Sequence, residues 1–330
     1  MFRPWGQVDW VMGRLPKLRW DFVGCIGTEE RSLASWRRVR ALALLDRTMM
    51  LDVRDPPGKY VDECRKRLAV RKAEFRHEGG TASMVRHHSL VERHQAIVDV
   101  VDEVLQQGGE SVILDITALP KRFFFPILRL LYRRADIVKN LLVTYSVGKR
   151  YAVGRLAENQ GDWAHLPLFG GAYTRAKTDM MVISVGFELL GLREHVEHGE
   201  GGLPIKLLVP FPCESDAFFR SWDAVRQLQK YRAANIFETY RIDPRDVSDV
   251  FDRLTSLTSS GARRPIFAPF GPKPISAGIC LFATITDSEV FFTQPTVYHP
   301  DYSQGVAERS GVPEIYAYCV RIGGRNLYSL

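Results

Sequence analysis

The feature that most constrains this chain is an alternation, run through twice, of short apolar segments and segments of helical period. Residues 22–26 form a short apolar run. Gly27 follows, then polar residues that open a pattern in which Leu33, Trp36, Val39, Ala43 and Leu44 recur at helical spacing. Residues 49–53 read as a second strand, closed by Asp55-Pro56-Pro57-Gly58. A basic amphipathic helix is predicted over 59–75 and another over 90–105, ended by Gly108-Gly109. A strand over 111–116, a helix over 123–132 and a strand over 141–146 complete the first run. Strands alternating with helices predict a mostly parallel sheet covered by helices on both faces.

Residues 158–178 break the pattern with Gly161, Pro167, Gly170 and Gly171 and no sustained period. They are read as a linker between domains at 1–157 and 179–330. The alternation then restarts. Strands are predicted at 181–185, 205–210, 236–240, 265–269 and 289–293, and helices at 215–231, 246–257 and 275–283. Residues 316–321 read as a last edge strand, and 294–302 as an ordered loop beside the second lysine turn. In that loop Tyr298 and Tyr302 are placed either to stack a base or to cover the sheet edge. The expected fold class is α/β, with two Rossmann-like, mostly parallel sheets and flanking helices.

The two halves repeat two short motifs in the same order. Cys25-Ile26-Gly27-Thr28-Glu29 ends the first strand of one half, and Ser184-Val185-Gly186-Phe187-Glu188 ends that of the other. Leu114 to Lys121 (LDITALPK) and Ile266 to Lys273 (IFAPFGPK) each join a strand to an apolar helix. Shared motifs on matching elements point to an internal duplication. In an open parallel sheet, ligands bind beyond the carboxyl ends of the strands, where both motifs fall. Gly27 and Gly186 permit close backbone approach. Lys121 and Lys273 start helices, where a cation is unfavourable unless an anion accompanies it. Arg122 adds charge, and Thr117 is placed to cap its helix and to donate to a phosphate. Thr28, Glu29 and Glu188 are read as contacts to sugar or base, with a first-turn helix role as the alternative for the two glutamates.

Composition narrows the classes. The chain has 330 residues, 45% hydrophobic and 25% charged, enough for two packed cores. It has no apolar run of about 20 residues that would span a membrane. Its first residues lack the apolar stretch of a secretory signal. Five scattered cysteines suit neither a disulfide framework nor a zinc site, so the cytoplasm is expected. The formal net charge of +7 favours anionic partners, with nucleic acid among them. The His88 to His94 spacing is not that of helical metal ligands, and Glu194 with His198 reads as a solvated helix face. P-loop, Gly-x-Gly-x-x-Gly and Gly-x-Ser-x-Gly motifs are absent, so neither a cofactor nor a metal is expected.

The stretch Phe270 to Gly278 (FGPKPISAG) resembles the Gly-Thr-Lys-Pro-Met-Ser turn of CARF domains, the Rossmann-like sensors of CRISPR-associated proteins. Asp115-Ile116-Thr117 to Lys121 is similar to that family's Asp-x-Thr-x-x-x-Lys arrangement. Two such units in one chain also resemble the SAVED domains of bacterial anti-phage signalling. Pro272 departs from the family's threonine, and Leu119-Pro120 from its small residues. The resemblance implies a pocket for a nucleotide or cyclic oligonucleotide, lined by this turn and the loop after the first strand. It adds Asp115, Gly271 and Ser276 to the ligand-binding set. It also implies a separately encoded effector. Two other readings stand beside this sensor. One is an enzyme of a defence system that cleaves a nucleotide or nucleic acid, with a carboxylate or His87 or His88 acting. The other is a protein-interaction subunit with a vestigial pocket.

Overall fold

The computed structural model describes residues 2–170, 178–189, 192, 203–231 and 237–330. Glu194, His198 and the 171–177 part of the expected linker lie outside the described residues. The protein is α/β and forms two units. The first holds Met1–Asn159 and Thr296–Leu327; the second holds Gln160–Pro295 and Tyr328–Leu330.

In the first unit the elements run β1 (Trp5–Gln7), α1 (Val8–Met12), β2 (Trp20–Cys25), α2 (Ala34–Ala41), β3 (Leu45–Arg54), α3 (Val61–His77), β4 (Val85–Ser89), α4 (His94–Gln106), β5 (Ser111–Asp115), α5 (Lys121–Arg133) and β6 (Asn140–Ser146). Strands β2 to β6 are mutually parallel and lie in the order β6, β5, β2, β3, β4. Counted from β2, that is fifth, fourth, first, second, third, the Rossmann order, and its direction of growth reverses between β2 and β5. Every residue of β2, β5 and β6 is buried, as expected of parallel strands covered on both faces. Trp36 of α2 meets Phe75 of α3 with ring centroids 4.7 Å apart, while Phe123, Phe124 and Phe125 of α5 are wholly buried.

Among the first-unit strands that differ from the sequence expectation, two bear on the sheet's edges. β4 is Val-Arg-His-His-Ser, too polar to read as a strand. It forms because it lies at the sheet edge, where one ladder against β3 suffices and burial is slight. The strand Ile315–Ile322, expected at the edge of the second half, instead lies between β1 and β6 of the first sheet, antiparallel to both. Its apolar residues Ala317, Tyr318, Cys319 and Val320 are fully buried there. They cover the β6 edge that would otherwise expose an unpaired backbone ladder. The boundary at 179–330 is therefore corrected at its far end, because 296–327 belong to the first unit. The predicted loop 294–302 is mostly strand, within Phe291–Tyr298, and Tyr298 and Tyr302 fall in the first unit. At the expected linker, Ala157–His165 is a strand that pairs with Phe291–Tyr298.

The second unit has a parallel sheet in the order Phe237–Ile242, Ile205–Pro210, Met180–Ser184, Pro265–Pro269. Its strands sit as third, second, first and fourth, the first unit's order again. Val290 bridges Phe267 in parallel, on the side where a fifth strand would stand. Among the described residues, helices Ser215–Tyr231, Val247–Leu257 and Lys273–Thr286 accompany it, and the last is buried from Pro274 to Thr284. Among the described residues, no helix is long and apolar enough to cross a membrane.

Candidate functional site

In each unit the two sequence motifs meet where the strand order reverses. In the first, the loop after β2 (Gly27, Thr28, Glu29) faces the loop after β5 (Asp115 to Lys121). In the second, the loop after Met180–Ser184 (Gly186, Phe187, Glu188) faces that after Pro265–Pro269 (Phe270 to Lys273). The glycines are dictated by this meeting. A Cβ on Gly27 would lie 2.9 Å from the Ala118 Cβ, and one on Gly186 would lie 2.2 Å from the Phe270 carbonyl oxygen. The close approach read from sequence is thus to the chain's own neighbouring loop.

Both lysines open their helices behind a proline N-cap of nearly identical backbone, Pro120 at φ −58°, ψ 150° and Pro272 at φ −51°, ψ 151°. Neither helix has a side-chain cap or an acidic residue in its first turn. Their leading amides and dipoles therefore favour an anion. Lys121 and Lys273 are half-buried. Arg122 is half-buried as well. It donates through Nη2 to the Glu92 carbonyl oxygen at 2.8 Å, while its buried Nε has no hydrogen-bond partner. Burial holds its pKa below the usual arginine value.

The remaining predicted residues divide. Thr117 does not cap its helix. Its hydroxyl donates to Asp115 Oδ1 at 2.7 Å and accepts from the Ser146 amide at 2.9 Å. Its one proton is therefore given to a buried carboxylate rather than held for a phosphate. Asp115 is fully buried and also accepts from Thr144 at 3.0 Å, a position that braces β5 against β6. Glu29 is taken up by Arg31 (Nη2 to Oε2 2.8 Å) and by the Ser303 hydroxyl. Arg31 in turn donates to the Tyr145 hydroxyl at 2.9 Å and the Ser146 carbonyl at 3.0 Å. Despite burial, which works against its charge, the Glu29 carboxylate and nearby tyrosines hold the Arg31 pKa well above its ordinary value. Ser276 is buried and donates back to Pro272 and Gly271 carbonyls in its own first turn. Gly271 is buried and donates its amide to the Ser184 hydroxyl at 3.0 Å. Glu188 is half-buried in its loop.

Thr28 lines an open cleft of about 450 Å³ together with Glu30, Arg67, Arg71, Asp301 and Ser303. Its volume is in the range of small-ligand sites. Arg67 is held by Asp301 Oδ1 and the Pro300 carbonyl, each at 2.8 Å. Arg71 donates to Glu74, and its buried Nε has no hydrogen-bond partner. These two arginines belong to the basic helix that the sequence presents mainly as solvated surface.

Sequence singled out His87 as a candidate acting residue, but two groupings, one around it and one in the second unit, were not read from sequence. Asp52, fully buried on β3, accepts through Oδ2 from His87 of β4 at 2.6 Å, from Arg54 at 3.1 Å and from Lys72 of α3. Burial pushes its carboxyl pKa up, but these hydrogen bonds outweigh it and leave the pKa below the usual value. Only the pairing of β3 with β4 creates this cluster, since 35 residues separate Asp52 from His87. In the second unit, the Arg220 guanidinium lies 4.3 Å from the Phe187 ring centroid and that of Arg241 4.9 Å from the Phe211 ring. Phe218 stacks on Trp222 at 6.1 Å, and Phe219 is 64% exposed. The signal for this surface was the aromatic run at 218–222 beginning a helix.

No family model matches this chain, and no curated protein matches it. Among solved structures it is similar to the functionally unknown protein PA1789 of Pseudomonas aeruginosa, at 12% identity, covering 84% of this chain and 92% of that one, with a TM-score of 0.23. A likeness that weak supports no inference about function.

Proposed function

We propose that this protein is a binding module for a nucleotide or cyclic oligonucleotide, of the CARF and SAVED kind, acting with a separately encoded effector in bacterial defence. The observation that carries this reading is the coincidence, in two units of one strand order, of an uncapped helix start bearing a lysine with the point where that order reverses. Such points are where open α/β sheets take ligands, and helix starts of this type take phosphate. The half-buried Arg122 adds a second cation beside Lys121 at the same helix start. In the second unit, Phe187, Phe211 and Trp222 with Arg220 and Arg241 offer faces on which bases stack.

The test is thermal denaturation and calorimetry with a panel of linear and cyclic oligonucleotides. A ligand selective for the folded state raises the melting temperature by mass action. Lys121→Ala and Lys273→Ala are each expected to weaken binding about tenfold or more, the scale of one charge-assisted hydrogen bond, while the protein stays folded. Unchanged affinity in both variants overturns the reading. Mass spectrometry of small molecules retained through native purification identifies the ligand.

A further inference from the structure

The cleft of about 450 Å³ in the first unit shares only Thr28 with the residues of the binding reading. Arg67 and Arg71 line it from α3, Thr28 and Glu30 from the loop after β2, and Asp301 and Ser303 from the segment before Ile315–Ile322. Two guanidinium groups are thus balanced by two carboxylates. A polyanion gains little from such a wall, because the carboxylates repel it as the arginines attract it. A ligand that carries one charge of each sign gains from both. The two arginines are used differently. Arg67 is engaged through Nη1 with Asp301 and the Pro300 carbonyl, and through Nη2 with Glu63. Arg71 donates only through Nη1, to Glu74 at 2.8 Å, and its side chain is 16% exposed. Among the described residues nothing accepts from its buried Nε or from its Nη2. Elsewhere in this chain the edge formed by those two nitrogens is the one that grips a carboxylate: Arg38 holds Asp9 in this way, Arg47 holds Asp21 and Arg86 holds Glu103. The carboxylates of the cleft are also only half used. Glu30 accepts through Oε2 from the Gly305 amide at 2.7 Å, and Asp301 accepts through Oδ1 from Arg67 and Gln304. Among the described residues nothing donates to Glu30 Oε1 or Asp301 Oδ2.

We propose that this cleft is a second binding site, for a free α-amino acid in its zwitterionic form. Arg71, turning about its outer torsions, takes the α-carboxylate side-on through Nε and Nη2, as its three counterparts take theirs. Glu30 and Asp301 take the α-ammonium on the oxygens that the chain itself does not use. The cleft is open and larger than these two groups, so it selects for the paired charges rather than for one amino-acid side chain. The site does not rest on the nucleotide reading, and the charge of its ligand separates the two.

The experiment uses the full chain with a panel of the common L-α-amino acids, the N-acetyl and C-amide forms of each, and inorganic phosphate. Binding is read by saturation-transfer NMR and by calorimetry. Free amino acids are expected to bind, and each capped form to bind at least ~10-fold more weakly, because each cap removes one of the two charges. Arg71→Lys keeps the cation and removes the fork. Glu30→Gln, at an exposed side chain, keeps an acceptor for the Gly305 amide and removes the charge. Each is expected to weaken amino-acid binding at least ~10-fold in a protein that stays folded by circular dichroism. If Arg71→Lys unfolds, Glu30→Gln decides. Lys121→Ala is expected to leave amino-acid affinity unchanged. The proposal is overturned if no free amino acid binds, if the capped forms bind as well as the free ones, if phosphate binds more tightly than any amino acid, or if folded Glu30→Gln keeps full affinity. Loss of amino-acid binding in Lys121→Ala also overturns it, since the ligand then sits at the helix start. Amino-acid binding in a protein that ignores every oligonucleotide supports this site and leaves the sensor reading to fail alone.

Discussion

The two sheets share a strand order and a pair of motifs, yet the points where their order reverses are braced by different forces. In the first unit the bracing is polar. Arg31, 2% exposed, ties the loop after β2 to the end of β6 through Glu29, Tyr145 and Ser146, while Asp115, Thr117 and Thr144 knit β5 to β6. In the second unit the bracing is steric. The backbone at Gly186 lies against the Phe270 carbonyl, and the following helix is buried along nearly its whole length. The comparison teaches that a repeated motif specifies where the backbone turns, not what holds the turn. Directional hydrogen bonds and close contact each serve, and they fail differently.

That difference can be broken experimentally. The largest effect is expected for Arg31→Met, which strands the Glu29 carboxylate and two acceptors in a buried site. A loss of about 3–5 kcal/mol is expected in denaturant unfolding. Gly186→Ala comes next, at about 3 kcal/mol, because its methyl would overlap a backbone oxygen that cannot swing aside. Gly27→Ala is expected to cost about 1–2 kcal/mol, since its neighbour is the Ala118 methyl on a loop able to shift. If Gly27→Ala proves the more damaging, the steric reading of the second unit is wrong.

A smaller effect sharpens the electrostatics of the first unit. Asp52 and Asp55 lie three residues apart at the end of β3 but titrate in opposite senses. Burial raises the Asp55 pKa to about 6, above an unfolded value of about 4. Its ionisation therefore opposes folding above about pH 6, and the penalty vanishes as pH falls below about 4. Asp55→Asn is expected to raise the melting temperature at pH 7 and to make no difference at about pH 3.5. Asp52 has the opposite sign, because its folded pKa is lowered. Its stabilisation is present above the unfolded pKa and is lost as pH falls through the folded one, so Asp52→Asn destabilises near neutrality. The smallest stability changes, below about 0.5 kcal/mol, are expected for Lys121→Ala and Lys273→Ala, whose main effect is expected on the anion binding proposed for them.

Much of the fold was legible because period and punctuation are local. The runs that became β2, β3, β5 and β6 are apolar and bounded by turn residues, and the helices between them keep their spacing. The site was legible only where a backbone demand left its mark, as at Gly27, Gly186 and the prolines before Lys121 and Lys273. The partners of Thr117 and Glu29 were not legible, because a hydroxyl or carboxylate near a helix start looks the same in sequence whether it faces a ligand or a buried partner. β4 was hidden because an edge strand has no need of apolar residues.

What the sequence by itself determined is the α/β alternation and the two paired motifs, since both depend on interactions between near neighbours along the chain. What only the tertiary structure decided is which strands lie side by side. It sent Ile315–Ile322 back to the first sheet to cover the β6 edge, and it brought His87 onto Asp52. Such pairings depend on backbone ladders and burial between residues far apart in the chain, and no local pattern encodes their partner.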